Sequence, residues 1–159
     1  MSPRAAWRLE SIGFEKVYDY VGSKMDWLGA GMPFEGTDAD EPRLALLADP
    51  AVPTCSVDEP VDDVRGRVGG WEICVAVNAA RVVLGLVRVE ALSLADGRTV
   101  AEVMQEGPKT FRPHLTAIEV VPQLDETPRS WLLVTNLDGT LVGVARPDDV
   151  RSAAGSRGE

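Results

Sequence analysis

The chain has few of the residues from which most catalytic sites are built. One histidine, His114, and two cysteines, Cys55 and Cys74, occur among its 159 residues. A single histidine cannot supply a multi-histidine metal site and weakens any Ser-His-Asp arrangement. The glycine clusters at 29–31 and 69–70 lack the spacing of a phosphate-binding loop. The sequence therefore predicts no catalytic residue and no metal site, with both cysteines buried in a reducing compartment.

Positive charge and long apolar runs are also scarce. The 16 lysines and arginines are outnumbered by 25 acidic residues, which gives a net charge of −9 at pH 7. Because binding to a phosphate backbone depends on clustered lysine and arginine, no nucleic-acid partner is expected. No apolar run approaches the ~18 residues of a membrane span, and the N-terminus lacks a signal-peptide pattern. The chain is therefore predicted to be cytoplasmic, without a membrane partner.

An internal repeat is the strongest positive signal. Residues 77–88 align with residues 135–146 at a constant offset of 58, which pairs Gly85 with Gly143. Upstream, Thr54 aligns with Thr110 at an offset of 56, so the second copy has two more residues than the first between its first helix and the strand that follows. Each copy predicts a lead-in helix, a short strand, a helix, a hairpin and a final helix. The sequence therefore predicts an α+β fold made of two packed copies.

The expected elements follow from turn signals, proline positions and runs of β-branched residues. In the first copy they are a strand at 53–57, a helix from Asp58 to about Gly69, strands at 73–77 and 81–87, and a helix at 89–94. In the second copy they are a strand at 109–113, a helix from Leu115 that ends at Pro122, strands at 131–135 and 140–145, and a helix at 148–153. Thr99 and Glu102 have the spacing of a capping box, which predicts a lead-in helix there, and residues 43–47 predict a weaker counterpart.

The second copy resembles a CBS (cystathionine-beta-synthase-like) repeat. The matching residues are a lead-in helix that ends at Met104, then Thr110, then the hairpin at 132–144 with Gly143 followed by apolar residues. The first copy matches less closely but occupies the expected place. The resemblance implies a pseudo-two-fold CBS pair, or Bateman module, with repeats at residues 41–98 and 99–159. It also implies a regulatory module rather than an enzyme.

In CBS pairs, clefts between the repeats often bind adenine nucleotides or related adenosyl ligands. The family motif is Gly-hydrophobic-hydrophobic-Thr/Ser-x-x-Asp/Asn, whose hydroxyl and carboxylate contact phosphate and ribose. In the second copy the resemblance implies ligand contacts from Gly143, Val144 and Asp149, with Arg146 in place of the hydroxyl. Asp149 is either this ribose ligand or an acidic residue that stabilises a helix start.

The first copy departs further from the motif. Arg88 replaces the hydroxyl and Ala91 replaces the carboxylate, so this copy lacks a ribose ligand. An arginine at the same place in both copies either binds phosphate or forms an ion pair. The strand before the first helix of each repeat also lines the cleft in this family, which implies Thr54, Thr110 and Phe111. Phe111 either stacks on a base or belongs to the core.

Two functions stay open at this point. One is a sensor that weakly binds an adenine nucleotide or S-adenosylmethionine at one cleft. The other is a ligand-free module for dimerisation or interaction, favoured by the missing motif residues. The resemblance implies a homodimer in either case, because paired repeats of this family often associate.

The N-terminal segment at 13–33 resembles the C-terminal end of a rhodanese domain. It has the Gly-Phe-x-x-Val pattern of a strand from Gly13, a helix with an inward-facing Trp27, and an Ala-Gly-hydrophobic-Pro sequence that ends at Pro33. Apolar residues between Val17 and Leu28 predict a helical stripe. Residues 1–40 are therefore expected to be a helical appendage with a linker at 37–42. The active-site cysteine of a rhodanese would precede this segment, so we expect an accessory role beside a sulfurtransferase rather than sulfur transfer.

Overall fold

The computed structural model describes residues 3–36 and 38–156. Its helices are α1 (Pro3–Ser11), α2 (Ser23–Gly29), α3 (Leu44–Leu47), α4 (Val61–Arg65), α5 (Val89–Ser93), α6 (Ala117–Glu126) and α7 (Pro147–Gly155), with a 3-10 helix at Val100–Glu102. Its strands are β1 (Thr54–Cys55), β2 (Ile73–Val77), β3 (Val83–Arg88), β4 (Gln105–Glu106), β5 (Thr110–Phe111), β6 (Leu132–Thr135) and β7 (Leu141–Ala145). Residues 1–2, 37 and 157–159 lie outside the described residues. They belong, respectively, to the predicted N-terminal appendage, the predicted linker and the end of the predicted second repeat.

The strands form two sheets, each built around the hairpin of one copy of the repeat. The first has the order β1-β2-β3-β4 and the second the order β5-β6-β7. In both, a short strand runs parallel to the first strand of a hairpin, with Thr54 opposite Val75 and Thr110 opposite Leu133. The hairpins β2–β3 and β6–β7 are antiparallel. The predicted α+β fold with two equivalent copies is confirmed.

The hairpin turns form where the sequence predicts them. In the first, the Asn78 side-chain oxygen accepts hydrogen bonds from the backbone N–H groups of Ala80 and Val82, each at 3.0 Å. In the second, Gly139 has a φ of 84°, a conformation that glycine adopts without steric cost. The Asp138 carboxylate accepts a bond from the Thr140 N–H at 3.0 Å. Local side-chain chemistry therefore determines both turns.

Two helix boundaries differ from the prediction. Helix α4 begins after Pro60, later than the expected start at Asp58, and gives way at Gly66. Helix α6 continues through Pro122 instead of ending there. Its start is secured by a capping box in which the side chains of Thr116 and Glu119 each accept a hydrogen bond from the other's backbone N–H. Proline removes one helical bond, and because Pro122 is exposed, water can replace it.

The lead-in segment that precedes each copy in the sequence packs in the core of the other copy. Leu44 of α3 is fully buried in the core of the second half, and its N–H donates to the Leu115 carbonyl at 2.9 Å. Val100 of the 3-10 helix is fully buried in the core of the first half, and its N–H donates to the Glu59 carbonyl at 3.0 Å. Each core therefore draws residues from both sides of the predicted boundary between residues 98 and 99.

A third core joins the two sheets. It consists of buried aliphatic residues from both halves: Val52, Ile73, Val75, Leu86, Leu133, Leu141 and Val144. The hairpins also bond to each other, since the Val83 N–H donates to the Gly139 carbonyl at 3.0 Å and the Leu141 N–H to the Arg81 carbonyl at 2.9 Å. Cys55 and Cys74 are free and buried in the first core, as expected. The shared core fixes the halves relative to each other and creates clefts at its margins.

The N-terminal segment is less regular than its sequence suggests. Helix α1 has no buried residue, and residues 13–20 form neither a helix nor a strand. The predicted strand from Gly13 and the helical stripe from Val17 are therefore wrong, because a strand needs a paired neighbour for its backbone groups. The predicted helix around Trp27 is present as α2, and the Trp27 indole N–H donates to the Pro33 carbonyl at 2.9 Å. No helix within the described residues is long and apolar enough to span a membrane.

Candidate ligand clefts

The two motif arginines lie against tryptophans of the opposite half. Arg88 is the last residue of β3, and its guanidinium carbon lies 5.1 Å from the ring centroid of Trp131. Arg146 occupies the equivalent place after β7, and its guanidinium carbon lies 5.9 Å from the ring centroid of Trp71. Neither arginine forms a salt bridge within residues 3–36 and 38–156. The structure therefore favours a cation–π contact over the ion pair considered from the sequence.

One cleft contains Arg146, and we call it the acidic cleft. It is lined by residues 70–73, Ser130, Trp131, Val144 and 146–148, and its volume is about 270 Å³. The ionisable side chains at its wall are Glu72, Arg146 and Asp148, all exposed to solvent. Two carboxylates face one guanidinium, so the acidic cleft has a negative balance. Trp71 supplies an aromatic surface beside these groups.

The other cleft contains Arg88, and we call it the basic cleft. It is lined by Leu86, Arg88, Gln105, Pro108, Lys109, Pro128, Arg129, Trp131 and Leu133, and its volume is about 150 Å³. Its charged side chains are Arg88, Lys109 and Arg129, and no carboxylate is among the lining residues. Trp131 lines both clefts and so lies between them.

The predicted site residues fall into three groups. Val144 and Arg146 line the acidic cleft, and Arg88 lines the basic cleft. Asp149 lies in the exposed first turn of α7 and does not line the acidic cleft, whereas its neighbour Asp148 does. Placement in this first turn agrees with the helix-start alternative for Asp149, since an acidic group there is stabilised by the helix dipole.

Gly143 has a packing role in this structure. A Cβ at this position would lie 2.5 Å from the Asp49 carbonyl oxygen, because the chain before β1 crosses directly over β7. The Asp49 N–H donates to the Val144 carbonyl at 2.9 Å, and the Val144 N–H donates back to Asp49 at 3.1 Å. Gly143 is thus covered by backbone and is not open to a ligand.

The remaining predicted residues lie on the short strands. Thr54 on β1 and Thr110 on β5 are partly buried and line neither cleft. Phe111 is 3% exposed and packs in the second core with Leu44 and Val120. Its ring is therefore not presented to a ligand, which is the core alternative considered from the sequence.

The sequence analysis missed six aromatic or charged residues of the clefts: Trp71, Glu72, Lys109, Arg129, Trp131 and Asp148. Most of them lie outside the aligned motif, and those of each cleft come largely from the half opposite its arginine. A signal was available, since a tryptophan precedes the first hairpin strand in both copies and an arginine follows the second. Both tryptophans also pack against the apolar cores.

A further cavity of about 490 Å³ lies between α2 and the second half. It is lined by Asp26, Arg112, His114 and Asp138 among others. His114 is partly buried, and this burial lowers its pKa. Arg112 donates hydrogen bonds to the hairpin at Thr135 and Asn136, which gives it a structural role there.

Comparison with protein families agrees with this architecture. Residues 100–156 match the family model described as a CBS domain. No curated protein sequence matches the chain significantly. The family match covers only the second half, so the interpretation of the first half as a second copy of the repeat depends on its fold.

Solved structures similar to this chain are CBS-pair proteins. The cytosolic domain of the Mg²⁺ channel MgtE in complex with ATP is 22% identical with a TM-score of 0.61, over 70% of this chain and 48% of that one. CBSX2 of Arabidopsis thaliana in complex with AMP is 19% identical with a TM-score of 0.62, over 71% and 96%. The CBS pair of MJ0100 with 5′-methylthioadenosine and S-adenosyl-L-methionine is 13% identical with a TM-score of 0.60, over 70% and 94%. The predicted CBS-pair fold is confirmed, and the match spans about half of the MgtE chain.

Proposed function

We propose that this chain is a regulatory, ligand-sensing CBS pair rather than an enzyme, and that its acidic cleft binds an adenosyl ligand. The observation that carries the proposal is the convergence of Trp71 from one half with Arg146 and Asp148 from the other. Complexes of similar structures with ATP, AMP and S-adenosyl-L-methionine support this ligand class. A ligand held by both halves would couple its binding to their relative position, which is what regulation requires.

Each part of such a ligand has a chemical counterpart in the acidic cleft. The ring of Trp71 offers a stacking surface for the adenine base, once Arg146 moves from its place 5.9 Å from the ring centroid. The freed guanidinium can then donate two hydrogen bonds to a phosphate or carboxylate of the ligand. A carboxylate can accept bonds from both ribose hydroxyls, and the candidates are Asp148 at the cleft wall and Asp149 beside it.

Charge selects among the adenosyl compounds. The carboxylates of Glu72 and Asp148 outnumber the guanidinium of Arg146 in the acidic cleft. Like charges repel, so a triphosphate is disfavoured there, whereas the positive sulfonium of S-adenosylmethionine is favoured. We therefore expect S-adenosylmethionine to bind more tightly than AMP, and AMP more tightly than ATP.

Calorimetric titration of the full chain with these three compounds tests the proposal. S-adenosylmethionine should bind with a Kd below about 1 mM. Asp148→Asn should weaken it about tenfold, because a hydrogen bond to a charged group is lost. Asp149→Asn identifies which of the two carboxylates contacts the ribose.

The matched control is Asp63→Asn. Asp63 is also an exposed aspartate in the first turn of a helix, α4, but it does not line the acidic cleft. Its replacement should leave the Kd unchanged. Absence of binding by all three compounds, or equal weakening by Asp63→Asn, would contradict the adenosyl proposal.

A second candidate function is dimerisation. A groove of about 560 Å³ is lined by Leu46, Ile118, Ala153 and Ala154 of the outer helices, by Ser156 and by the segment 39–42, and Leu46 is 76% exposed. We propose that a second copy of the chain covers this groove, as the association of CBS pairs implies. Light scattering should then give the mass of a dimer, and Leu46→Asp should give a monomer. A wild-type monomer at high concentration would refute this candidate.

The rhodanese-like segment belongs to the same proposal as an accessory element. Its side chains are largely exposed, with Val21 93% and Tyr18 80% exposed. This exposure supports a role in contacting a rhodanese-type sulfurtransferase. Binding of the full chain to such an enzyme, and its loss when residues 1–36 are deleted, would test the role.

A further inference from the structure

The basic cleft has an unusual composition for this chain. The protein carries a net charge of −9, and acidic side chains are distributed along most of its surface segments. Even so, Arg88, Lys109 and Arg129 converge on one cleft that no carboxylate lines. Bringing three like charges together is unfavourable unless an anion compensates them.

The three cations are not neutralised by the protein. None of them forms a salt bridge in the described part of the chain. The Nε atom of Arg129 is buried and has no hydrogen-bond partner among the described residues. A buried donor without a partner costs free energy, and such atoms are uncommon in folded proteins. An acceptor from outside the chain would remove that cost.

The neighbouring aromatic rings hold two of these cations in place. The guanidinium of Arg88 lies over the Trp131 ring, and the Lys109 Nζ lies 5.3 Å from the ring centroid of Phe111. A cation held by a ring face loses less conformational freedom when a ligand arrives. The rings contribute no acceptor oxygen, so the donors remain available to an anion.

The size of the basic cleft limits what can enter it. Its volume of about 150 Å³ is little more than half that of the acidic cleft, which is about 270 Å³. The smaller basic cleft therefore favours a short phosphate chain, which is compact and offers several acceptor oxygens, over a whole nucleoside. A single phosphate carries roughly 1.5 to 2 negative charges, fewer than the three cations.

We infer that the basic cleft, formed by Arg88, Lys109 and Arg129, binds a compact multivalent oxyanion of the pyrophosphate class without a nucleoside. This inference goes beyond the adenosyl proposal, because it concerns a different cleft and a different ligand chemistry. The two ligands would bind on opposite sides of Trp131, which lines both clefts.

Titration of the full chain with sodium pyrophosphate at constant ionic strength tests the inference. One saturable site is expected, and its Kd should rise with added NaCl because charge pairing is screened. Lys109→Gln and Arg129→Gln should each weaken binding about tenfold, since each removes a charge-assisted hydrogen bond. Lys109 is exposed, so its replacement keeps the test valid if Arg129→Gln disturbs the fold.

Arg98→Gln is the matched control, since it removes one positive charge at an exposed position outside the basic cleft. It should leave the pyrophosphate Kd unchanged. The inference is overturned by no saturable binding below about 10 mM, or by equal weakening in Arg98→Gln. It is also overturned if Asp148→Asn, rather than Lys109→Gln, changes the Kd.

The same variants separate this inference from the adenosyl proposal. S-adenosylmethionine should bind Lys109→Gln with unchanged affinity, because Lys109 lies outside the acidic cleft. Pyrophosphate binding without S-adenosylmethionine binding would remove only the adenosyl proposal. The opposite result would remove only the oxyanion site.

Discussion

The acidic and basic clefts occupy equivalent places in the repeat but carry opposite charge. Each is bordered by the arginine that follows one hairpin and by a tryptophan of the other half. The acidic cleft adds Glu72 and Asp148, whereas the basic cleft adds Lys109 and Arg129. The repeated backbone thus determines where the clefts lie, and side chains outside the aligned motif determine what each can bind.

Gly85 and Gly143, the equivalent glycines of the two motifs, also occupy the same place in the repeat but have different neighbours. At Gly143 the chain before β1 crosses close to the hairpin β6–β7, and at Gly85 the strand β4 lies beside β3. A Cβ at Gly143 would lie 2.5 Å from the Asp49 carbonyl oxygen, whereas a Cβ at Gly85 would lie 2.5 Å from the Met104 Sδ. A backbone neighbour cannot move away, but a methionine side chain can change its rotamer.

The largest expected effect is on stability and comes from these glycines. Gly143→Ala should lower the free energy of unfolding by about 3 kcal/mol, because it forces backbone apart. Gly85→Ala should cost about 1 kcal/mol, because Met104 can yield while the Gln105 carbonyl oxygen, at 3.1 Å, allows a small shift. Urea denaturation measures both values. Equal costs would show that the two crossings are equally rigid.

The next effect concerns the charge of the acidic cleft. Glu72→Gln should strengthen ATP binding about fivefold and weaken S-adenosylmethionine binding, because it removes one of the two carboxylates. Calorimetric titration gives both Kd values. Glu90→Gln, an exposed replacement in the first turn of α5, is the control and should change neither. A parallel change for both ligands would argue against charge as the basis of selection.

The two capping boxes, at Thr99 and Thr116, allow the two halves to be compared through smaller changes in the free energy of unfolding. Thr116→Ala should lower the free energy of unfolding by about 1 kcal/mol, because the ten-residue helix α6 loses its N-cap. Thr99→Ala affects a three-residue 3-10 helix and should cost less. Thermal and urea unfolding would both report the difference. A larger cost at Thr99 would mean that the lead-in, rather than α6, limits stability.

The smallest effect is a dependence on pH. The pKa of Glu119 is lowered, chiefly by the hydrogen bond from the Thr116 backbone N–H. Its folded pKa lies below the unfolded value, so its stabilisation is present above the unfolded pKa and is lost as pH falls through the folded pKa. Glu119→Gln should therefore flatten the decrease in stability between about pH 5 and pH 3. An unchanged slope in urea denaturation at these pH values would contradict this assignment.

The local elements were largely predictable from the sequence. The hairpins, their turns and the capping box at Thr99 all depend on residues close in the chain, and the structure contains them within a few positions. The end of α6 was not predictable from Pro122 alone, because its capping box and its packing on α7 outweigh one lost hydrogen bond. The strand expected from Gly13 failed for a similar reason, since pairing partners decide whether a strand forms.

The candidate sites were predictable only in part. The motif gave Arg88, Arg146 and Val144, which do line the clefts. The motif also gave Gly143, which is covered by backbone, and the strand that lines the cleft in the family gave Phe111, which lies in the core. Asp148 is two residues from Arg146, but Glu72, Lys109 and Arg129 lie in segments distant in the sequence from the arginine of their cleft, so no local pattern could connect these three to it.

The sequence by itself determined the repeat, its α+β elements and the position of an arginine after each hairpin. Those features follow from periodicity, turn chemistry and capping, which act over a few residues. Only the tertiary structure decided that the lead-in segments exchange halves, that each arginine meets a tryptophan of the other half, and that one cleft is acidic and the other basic. These features depend on how the shared core between the sheets orients the two halves, and burial of that apolar surface is a property of the whole chain.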